Sequence, residues 1–387
     1  MTDVSIIGIG EIDVGEHWDT SLRHLAWYAI EAAMDNAATT AIDALFVGNM
    51  MAGDLSRQDH LGALIADFAG LRGIEAVTVE AADASGGAAL RQAYLAVKSG
   101  QVQTAIAVGV EKITDQSGSA ATTAYSMAMD ADYEAIHGLT TAGVAALVMR
   151  RYMHEHGLEV ADFAGFSVNA HANAGGNPRA MFRNRLRAER FASGPLVADP
   201  VSLFDMAPLG DGAAAVIVTT AERALDMVPQ PIRIAGSALA TDRVGLHDRR
   251  DPLWLDAAEH SARKALDMAG VTTEDIDLAE LHDAFTVLAA LSLEACGFAE
   301  PGRGWTLARD GQIGRDGAIP ISTLGGLKAR GNPAGATGLY QIVEVVKQLR
   351  GAAGDCQVEG AAIGLAQNLG GSGATAVTHV LRADSLT

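Results

Sequence analysis

Short apolar segments alternate with helical patterns along most of the chain. Apolar runs predict β-strands at residues 4–9, 44–48, 77–81, 104–110, 214–219, 232–239, 278–282, 361–366 and 375–381. Apolar residues three and four positions apart predict helices at residues 22–37, 88–99, 255–269 and 336–349. Strands that alternate with helices are typical of parallel sheets covered by helices, so the pattern predicts an α/β fold.

The pattern also repeats. Small residues at 84–88 begin a helix that ends at Gly100 and precedes the strand at 104–110. Small residues at 333–338 begin a second helix, which ends at Gly351 and precedes the strand at 361–366. The two units predict a duplicated fold. The alternative is a chance similarity between two Gly/Ala-rich helix starts. We place the first half at residues 1–225, with an inserted lid at about 115–205 that is poor in strand patterns, and the second half at 226–387.

Composition and charge narrow the classes of function. The chain has 387 residues and a net charge of −19, which argues against nucleic acid or an anionic membrane as a binding partner. Its two cysteines, Cys296 and Cys356, make neither a disulfide framework nor a metal-ligand set, so we expect no metal. Without a signal-peptide pattern or an apolar run of about 18 residues, we expect a cytoplasmic protein.

Several short boxes together carry a resemblance to a known family. A strand, a tight turn of small residues and a helix start follow one another at 79–90, and a Gly-rich loop at 325–338 contains Gly331-Asn332-Pro333. Further boxes lie at 109–115, 145–153, 177–183, 205–214, 280–286 and 368–373. In this order they resemble the thiolase superfamily, in particular its sterol-carrier-protein-type and archaeal-type members. The resemblance implies a duplicated, five-layered αβαβα thiolase fold with an inserted lid.

The departures from the family fall on its catalytic residues. The resemblance places the nucleophilic cysteine of thiolases at Asp83, and the histidine of the Gly-His-Pro loop at Asn332. The second cysteine of the family falls at Asn368. A carboxylate cannot form the acyl-cysteine intermediate of a thiolase, so the sequence indicates different chemistry at this position.

Several groups remain that are able to act on a thioester. The resemblance implies that His282 donates to the thioester oxygen, with Asn332, Asn368 and the backbone at Asp83 and Gly371 as further donors. Asp83 is the candidate base, or alternatively a structural carboxylate that caps the following helix. His282 is alternatively a core histidine bonded to a backbone carbonyl.

Two further residues, Asp283 and Tyr340, are weaker members of this predicted pocket. Asp283 is more consistent with orienting its neighbours than with reacting. Tyr340 is alternatively a packing residue.

Arginines cluster in the predicted lid. The five arginines at positions 179, 183, 185, 187 and 190 are candidates for binding the phosphates of coenzyme A, and Arg179 and Arg183 are the two that we assign to this site. The alternative is a solvated or subunit-contact segment. No cofactor is expected beyond a coenzyme A thioester as the substrate.

Two functions agree with these residues. The first is a carbon–carbon lyase that cleaves a 3-hydroxyacyl-CoA by a retro-aldol reaction, as in the thiolase-like aldolases of steroid side-chain degradation. The second is a non-catalytic, accessory subunit of a heteromeric acyltransferase. The resemblance also implies a homodimer, which we place at the strands near 104–110, and a partner protein with a zinc ribbon and an oligonucleotide-binding fold.

Overall fold

The computed structural model describes residues 2–383 and contains two α/β halves built on the same plan. The strands, in chain order, are β1 Val4–Glu11, β2 Ala44–Gly48, β3 Glu75–Val79, β4 Thr104–Glu111, β5 Leu196–Ala198, β6 Val201–Ser202, β7 Gly212–Thr220, β8 Ile232–Thr241, β9 Leu278–Glu280, β10 Ile363–Gly370 and β11 Thr375–Ala383. The helices are α1 Leu22–Ala37, α2 Leu61–Phe68, α3 Ser85–Ser99, α4 Gly118–Ser126, α5 Thr141–His156, α6 Ala164–Ala174, α7 Ala188–Ala192, α8 Ala221–Met227, α9 Asp256–Ala269, α10 Thr286–Ala295, α11 Gly304–Arg309 and α12 Thr337–Leu349.

The two halves share one strand order. In the first half the order is β3-β2-β4-β7-β1, with β2 parallel to β3 and β4 and with β7 antiparallel to β4 and β1. In the second half β9, β10, β11 and β8 follow the same directions. A parallel bridge between Ala279 and Ile321 on the outer side of β9 takes the place that β3 has in the first half. The duplication predicted from the repeated pattern is therefore present, and the α/β fold class is confirmed.

The halves meet along β1 and β8 and around two central helices. Antiparallel pairing of Ser5 with Arg233 and of Ile6 with Ile232 joins the strands into one nine-stranded sheet. Helices α3 and α12 pack against each other and against strands of both halves, while α1 covers the first half and α9 the second. The outer helix α1, the strands of the first half, the paired helices α3 and α12, the strands of the second half and the outer helix α9 make five layers.

Close contact between the central helices explains their glycine-rich starts. A Cβ atom on Gly86 would lie 2.9 Å from the carbonyl oxygen of Gly335, and one on Gly338 would lie 2.4 Å from the backbone nitrogen of Gly87. Only glycine allows this approach, which brings the N-termini of α3 and α12 to the same place.

Several strand boundaries differ from the predicted ones for local reasons. The strand predicted at 77–81 is β3, Glu75–Val79, because the chain turns at Ala82, which has a left-handed φ of 52°. The strand predicted at 278–282 ends at Glu280, so His282 lies beyond the C-terminal end of β9. The proposed division at residue 225 falls within α8 and stays a prediction. Residues 1 and 384–387 of the predicted halves lie outside the described residues.

The predicted subunit contact near residues 104–110 needs correction. Strand β4 is paired on one side with β2 and on the other with β7, and all eight of its residues are buried. It therefore has no free edge for a second chain. The free edge of this half is β3, where Val77 is 50% exposed.

The lid is a helical insertion between β4 and β7. It carries α4 to α7 and the short β5–β6 pair, and its helices α5 and α6 pack on α10 of the second half. Within residues 2–383, no helix combines the length and the apolar character needed to cross a membrane.

Candidate active site

Asp83 lies at a strained turn between β3 and α3. Ala82 has a left-handed φ, which costs about 1–2 kcal/mol for a residue with a Cβ atom. The Ser85 hydroxyl stabilises the turn, because it donates to the carbonyl of Ala82 at 2.5 Å and accepts from the backbone N–H of Ala81 at 2.9 Å. The turn holds the Asp83 side chain in the interior, 1% exposed, at the N-terminal end of α3.

The environment of Asp83 is that of a base with a raised pKa. Burial raises the pKa of its carboxyl to about 6, and the nearby Glu80 adds to the rise. The Tyr125 hydroxyl and the backbone N–H of Gly371 act in the opposite direction as hydrogen-bond donors. Its Oδ1 atom has no hydrogen-bond partner within residues 2–383, and no side chain caps α3. The helix-capping alternative for Asp83 therefore has no support.

Asn332 and Tyr125 meet beside Asp83. The Asn332 Oδ1 atom accepts from the backbone N–H of Ala334 at 3.0 Å and from the Thr337 hydroxyl at 2.7 Å. These bonds fix the amide so that its Nδ2 faces the Tyr125 hydroxyl at 3.3 Å. The site therefore joins the turn of the first half, the loop of the second half and helix α4 of the lid.

Tyr125 is the functional candidate that the sequence analysis did not identify. It belongs to no recognisable motif, and it lies in a lid segment of mixed small residues. Hydrogen bonds to Asp211 fix the start of the lid. Its carboxylate accepts from the Lys112 ammonium at 2.6 Å and from the backbone N–H of Ile113 at 2.6 Å. That anchor precedes α4, which carries Tyr125 near its C-terminal end.

His282 and Asn368 form a second pair at this end of the sheet. The Asn368 Nδ2 atom lies 3.2 Å from the His282 Nδ1 atom, so Nδ1 is the acceptor and Nε2 carries the proton. Burial lowers the pKa of His282 to about 3, with help from the charge of Arg330, so the ring is neutral. A neutral ring with a protonated Nε2 is a hydrogen-bond donor. Its bonded neighbour is a side-chain amide and not the backbone carbonyl of the core-histidine alternative.

Asp283 and Tyr340 have structural contacts. Asp283 accepts from the backbone N–H of Leu327 at 2.7 Å and from the Ser322 hydroxyl at 2.9 Å, which holds the start of the glycine loop. Tyr340 donates to the carbonyl of Ile12 at 2.8 Å, beneath the guanidinium of Arg330. This bond to the backbone next to β1 favours the packing alternative for Tyr340, and its membership of the pocket stays a prediction.

A second buried carboxyl, Glu111, lies close to Asp83. Its Oε1 atom accepts from the backbone N–H groups of Met50 at 2.5 Å and Met51 at 3.2 Å, while its Oε2 atom has no partner within residues 2–383. Burial raises the pKa of Glu111 to about 8, and the charge of Asp83 adds to the rise. Glu111 is therefore largely protonated at neutral pH, which leaves Asp83 as the carboxyl that ionises first.

Two neighbouring cavities lie beside Tyr125 and Asn332. The inner chamber, about 270 Å³, is lined by Tyr125 and Asn332 together with apolar groups such as Met206 and Phe285. The outer cavity, about 760 Å³, shares Thr122, Met206, Ala207 and Leu209 with the inner one. Its lining includes the aromatic Trp18 and Phe182, the basic Arg185 and Arg190, the acidic Glu16 and the buried Lys328.

Two arginines of the predicted cluster, Arg185 and Arg190, line the outer cavity, whereas the two assigned to coenzyme A, Arg179 and Arg183, do not. Arg179 is bonded to Asp13 at 2.8 Å and lies 3.5 Å from Glu11, beside a different cavity. Arg183 is exposed and is absent from the described lining of the outer cavity. Arg185 and Arg190 line the outer cavity, and Arg190 also lies over the ring of Phe204 at 5.6 Å. The coenzyme A site itself stays a prediction.

Neither cysteine reaches the site. Cys296 is buried at the end of α10, where burial raises the pKa of its thiol to about 12. Cys356 is also buried, and its Sγ atom donates to the carbonyl of Asn173 at 3.3 Å. The chain therefore has no thiol at the cavities, and Asp83 is the ionisable group at the α3 turn.

Comparisons with known proteins agree with this architecture. A family model described as "Thiolase, N-terminal domain" matches residues 4–222, and one described as "Thiolase C-terminal domain-like" matches residues 238–383. An acetyl-CoA acetyltransferase of Methanothermobacter thermautotrophicus is 45% identical over 98% of this chain and 99% of its own length. The benzoylsuccinyl-CoA thiolase subunit BbsB of Thauera aromatica is 33% identical over 92% of this chain and 91% of its own.

Two further similarities extend the comparison. Human sterol carrier protein 2 is 30% identical over 80% of this chain and 59% of its own length. A solved structure titled "Ltp2-ChsH2(DUF35) aldolase" covers 99% of this chain and 98% of its own with a TM-score of 0.86, at 24% identity.

Proposed function

The chain belongs to the thiolase family, and from that premise we propose that it is a carbon–carbon lyase that cleaves a 3-hydroxyacyl-CoA by a retro-aldol reaction. The observation that carries the proposal is the Asp83 carboxyl, which has a pKa of about 6 and lies where thiolases have their nucleophile. A carboxylate with this pKa is suited to proton transfer near neutral pH.

The relatives named acetyl-CoA acetyltransferase or thiolase suggest acyl transfer, but this chain lacks the group that acyl transfer needs. Thiolysis requires a thiol nucleophile, and both cysteines are buried away from the cavities. Retro-aldol cleavage passes through a thioester enolate without a covalent enzyme intermediate. The groups retained here, a base and neutral hydrogen-bond donors, match that requirement.

In the proposed reaction His282 holds the thioester oxygen through its Nε2–H group. Because the ring is neutral and Asn368 fixes its tautomer, it donates without giving up a proton. Loss of one such donor typically costs about 10²–10³ in rate. Asp83 supplies the base that removes the proton of the 3-hydroxyl, after which the C2–C3 bond breaks and the enolate forms.

In this proposal the two cavities hold different parts of the substrate. Arg185 and Arg190 give the outer cavity positive charge in a chain of net charge −19, which suits the phosphates of coenzyme A. The inner chamber takes the acyl group. Because a cavity of about 150 Å³ holds one benzene ring, 270 Å³ holds roughly a ring with a short chain. We therefore favour compact aryl or short branched acyl groups over a steroid nucleus.

The test is cleavage in the absence of free coenzyme A. The purified chain is incubated with a set of 3-hydroxyacyl-CoAs, and the shortened acyl-CoA and the carbonyl product are measured by mass spectrometry. The matched control substrate is the saturated acyl-CoA, which lacks the 3-hydroxyl. Equal amounts of the two products are expected, and formation of neither contradicts the proposal.

The second candidate is an accessory subunit, which the similarity to a protein named as a thiolase subunit favours. In that case the chain cleaves nothing by itself but raises the activity of a catalytic partner. The zinc-ribbon and oligonucleotide-fold partner and the homodimer also stay proposals. Size-exclusion chromatography with light scattering, with and without proteins co-purified from the native host, tests both.

A further inference from the structure

We propose that Tyr125 is a catalytic residue whose hydroxyl carries the proton between the substrate's 3-hydroxyl and Asp83. This inference deepens the proposed lyase function and rests on it. It assigns a catalytic residue to the lid, for which the sequence analysis predicted only arginines that bind coenzyme A.

The position of Tyr125 is the first observation. Asp83 is 1% exposed, and the described residues that line the inner chamber include Tyr125 and Asn332 but not Asp83. A substrate bound in the chamber therefore meets the Tyr125 hydroxyl, behind which the Asp83 carboxyl lies. Direct contact between Asp83 and a substrate would require Tyr125 to move.

The direction of the hydrogen bonds is the second observation. Both bonds accepted by the Asn332 Oδ1 atom fix Nδ2 as the donor to the Tyr125 oxygen. The single hydrogen of the Tyr125 hydroxyl then faces the Asp83 carboxyl, where it acts as a hydrogen-bond donor. A phenolic oxygen accepts two hydrogen bonds, so one position remains for the substrate hydroxyl on the chamber side.

The proton transfers balance in this arrangement. The Tyr125 proton moves to the Asp83 carboxylate as the 3-hydroxyl proton moves to the Tyr125 oxygen. The C2–C3 electron pair passes to the thioester as an enolate, and C3 leaves as an aldehyde or ketone. The same relay then runs in reverse and protonates C2, which gives the shortened acyl-CoA and restores ionised Asp83. No oxidant, metal or added coenzyme A takes part.

Tyr125 does not need to ionise on its own. Burial and the adjacent Asp83 raise its pKa well above the ordinary value, so a free phenolate does not accumulate. The two proton movements are therefore coupled. Asp83, with Glu80 and the largely protonated Glu111 as its titratable neighbours, sets the pH at which the relay becomes active.

The experiment compares Tyr125→Phe with Tyr133→Phe, which changes the same ring at a position that is 67% exposed. The first readout is cleavage of a 3-hydroxyacyl-CoA. The second is exchange of the C2 hydrogens of a saturated acyl-CoA in D₂O, followed by NMR, which needs enolate formation but no C–C cleavage. We expect Tyr125→Phe to lower both rates by about 10²–10⁴, while the variant keeps the native fold and still binds acyl-CoA.

A double variant separates a relay from two independent groups. For a relay in series, Tyr125→Phe with Asp83→Asn loses no more activity than either single variant. The relay is refuted if the loss in the double variant equals the product of the two single losses. It is also refuted if Tyr125→Phe exchanges the C2 hydrogens as fast as Tyr133→Phe. Tyr125-dependent exchange without any cleavage would reject the lyase function while retaining the relay, whereas a wild type that neither exchanges nor cleaves would reject both.

Discussion

Replacement of Asp83 by asparagine tests the central chemical claim, because it keeps the shape of the side chain and removes the base. The amide still fits the space behind Tyr125 but cannot take up a proton at neutral pH. Loss of a general base costs about 10²–10⁴ in rate. We therefore expect Asp83→Asn to lose lyase activity by that factor while it folds and binds acyl-CoA like the wild type.

The raised pKa of Asp83 also fixes the shape of the pH profile. With a pKa of about 6, the carboxyl is about one-tenth ionised at pH 5 and about nine-tenths ionised at pH 7. The wild-type kcat/KM should accordingly rise about tenfold between pH 5 and pH 7 and then level off. His282 adds no step in this range, because its pKa of about 3 keeps the ring neutral.

The assay measures initial rates of cleavage from pH 5 to pH 8 for the wild type, Asp83→Asn and the control Asp267→Asn. Asp267 is exposed on the outer helix α9, so the control removes a carboxylate remote from the cavities. The residual activity of Asp83→Asn should no longer follow a pKa near 6. Turnover of Asp83→Asn within about threefold of the wild type would show that Asp83 is structural, and a flat wild-type profile would refute the argument from burial.

Four further outcomes follow from the same geometry. Asp83→Cys should not gain thiolase activity, because the amide of Asn332 cannot activate a thiol; coenzyme A-dependent thiolysis of a 3-ketoacyl-CoA by this variant would contradict that. Glu111→Gln should stabilise the chain increasingly as the pH rises from about 5 to 8. The buried carboxyl of the wild type keeps its proton up to a pKa of about 8, whereas the same group in the unfolded chain ionises near 4.5, so wild-type stability falls across this window. Melting temperatures that change in parallel for the two proteins would disprove the assignment. Arg190→Ala should weaken coenzyme A binding by about tenfold, as expected for one lost charged hydrogen bond, whereas Arg183→Ala should not, and calorimetry giving equal losses would reject the outer cavity as the coenzyme A site. Binding of saturated acyl-CoAs should weaken once the acyl group exceeds roughly a ring with a short chain, and tight binding of a steroid acyl-CoA would refute the size limit.

The sequence by itself determined the fold and the departures from the family's usual residues at Asp83, Asn332 and Asn368. Strands covered on both faces are nearly continuous apolar runs, as in β2 and β4, so local composition is enough to locate them. The repeated turn–helix–strand unit disclosed the duplication, because both copies need small residues where α3 and α12 touch. Asp83, Asn332 and Asn368 were visible as departures because each lies inside a recognisable box.

Only the tertiary structure decided which residues surround Asp83. Tyr125 and Asn332 are 207 positions apart, and nothing local to α4 marks its tyrosine. The same holds for the arginines, since Arg179 pairs with Asp13 on the first half while Arg185 and Arg190 reach the outer cavity. Strand β4 likewise cannot form the predicted subunit contact, because both of its edges are paired within the chain. Contacts between distant segments depend on how the lid and the two halves pack, and that packing is a property of the whole chain that no local pattern contains.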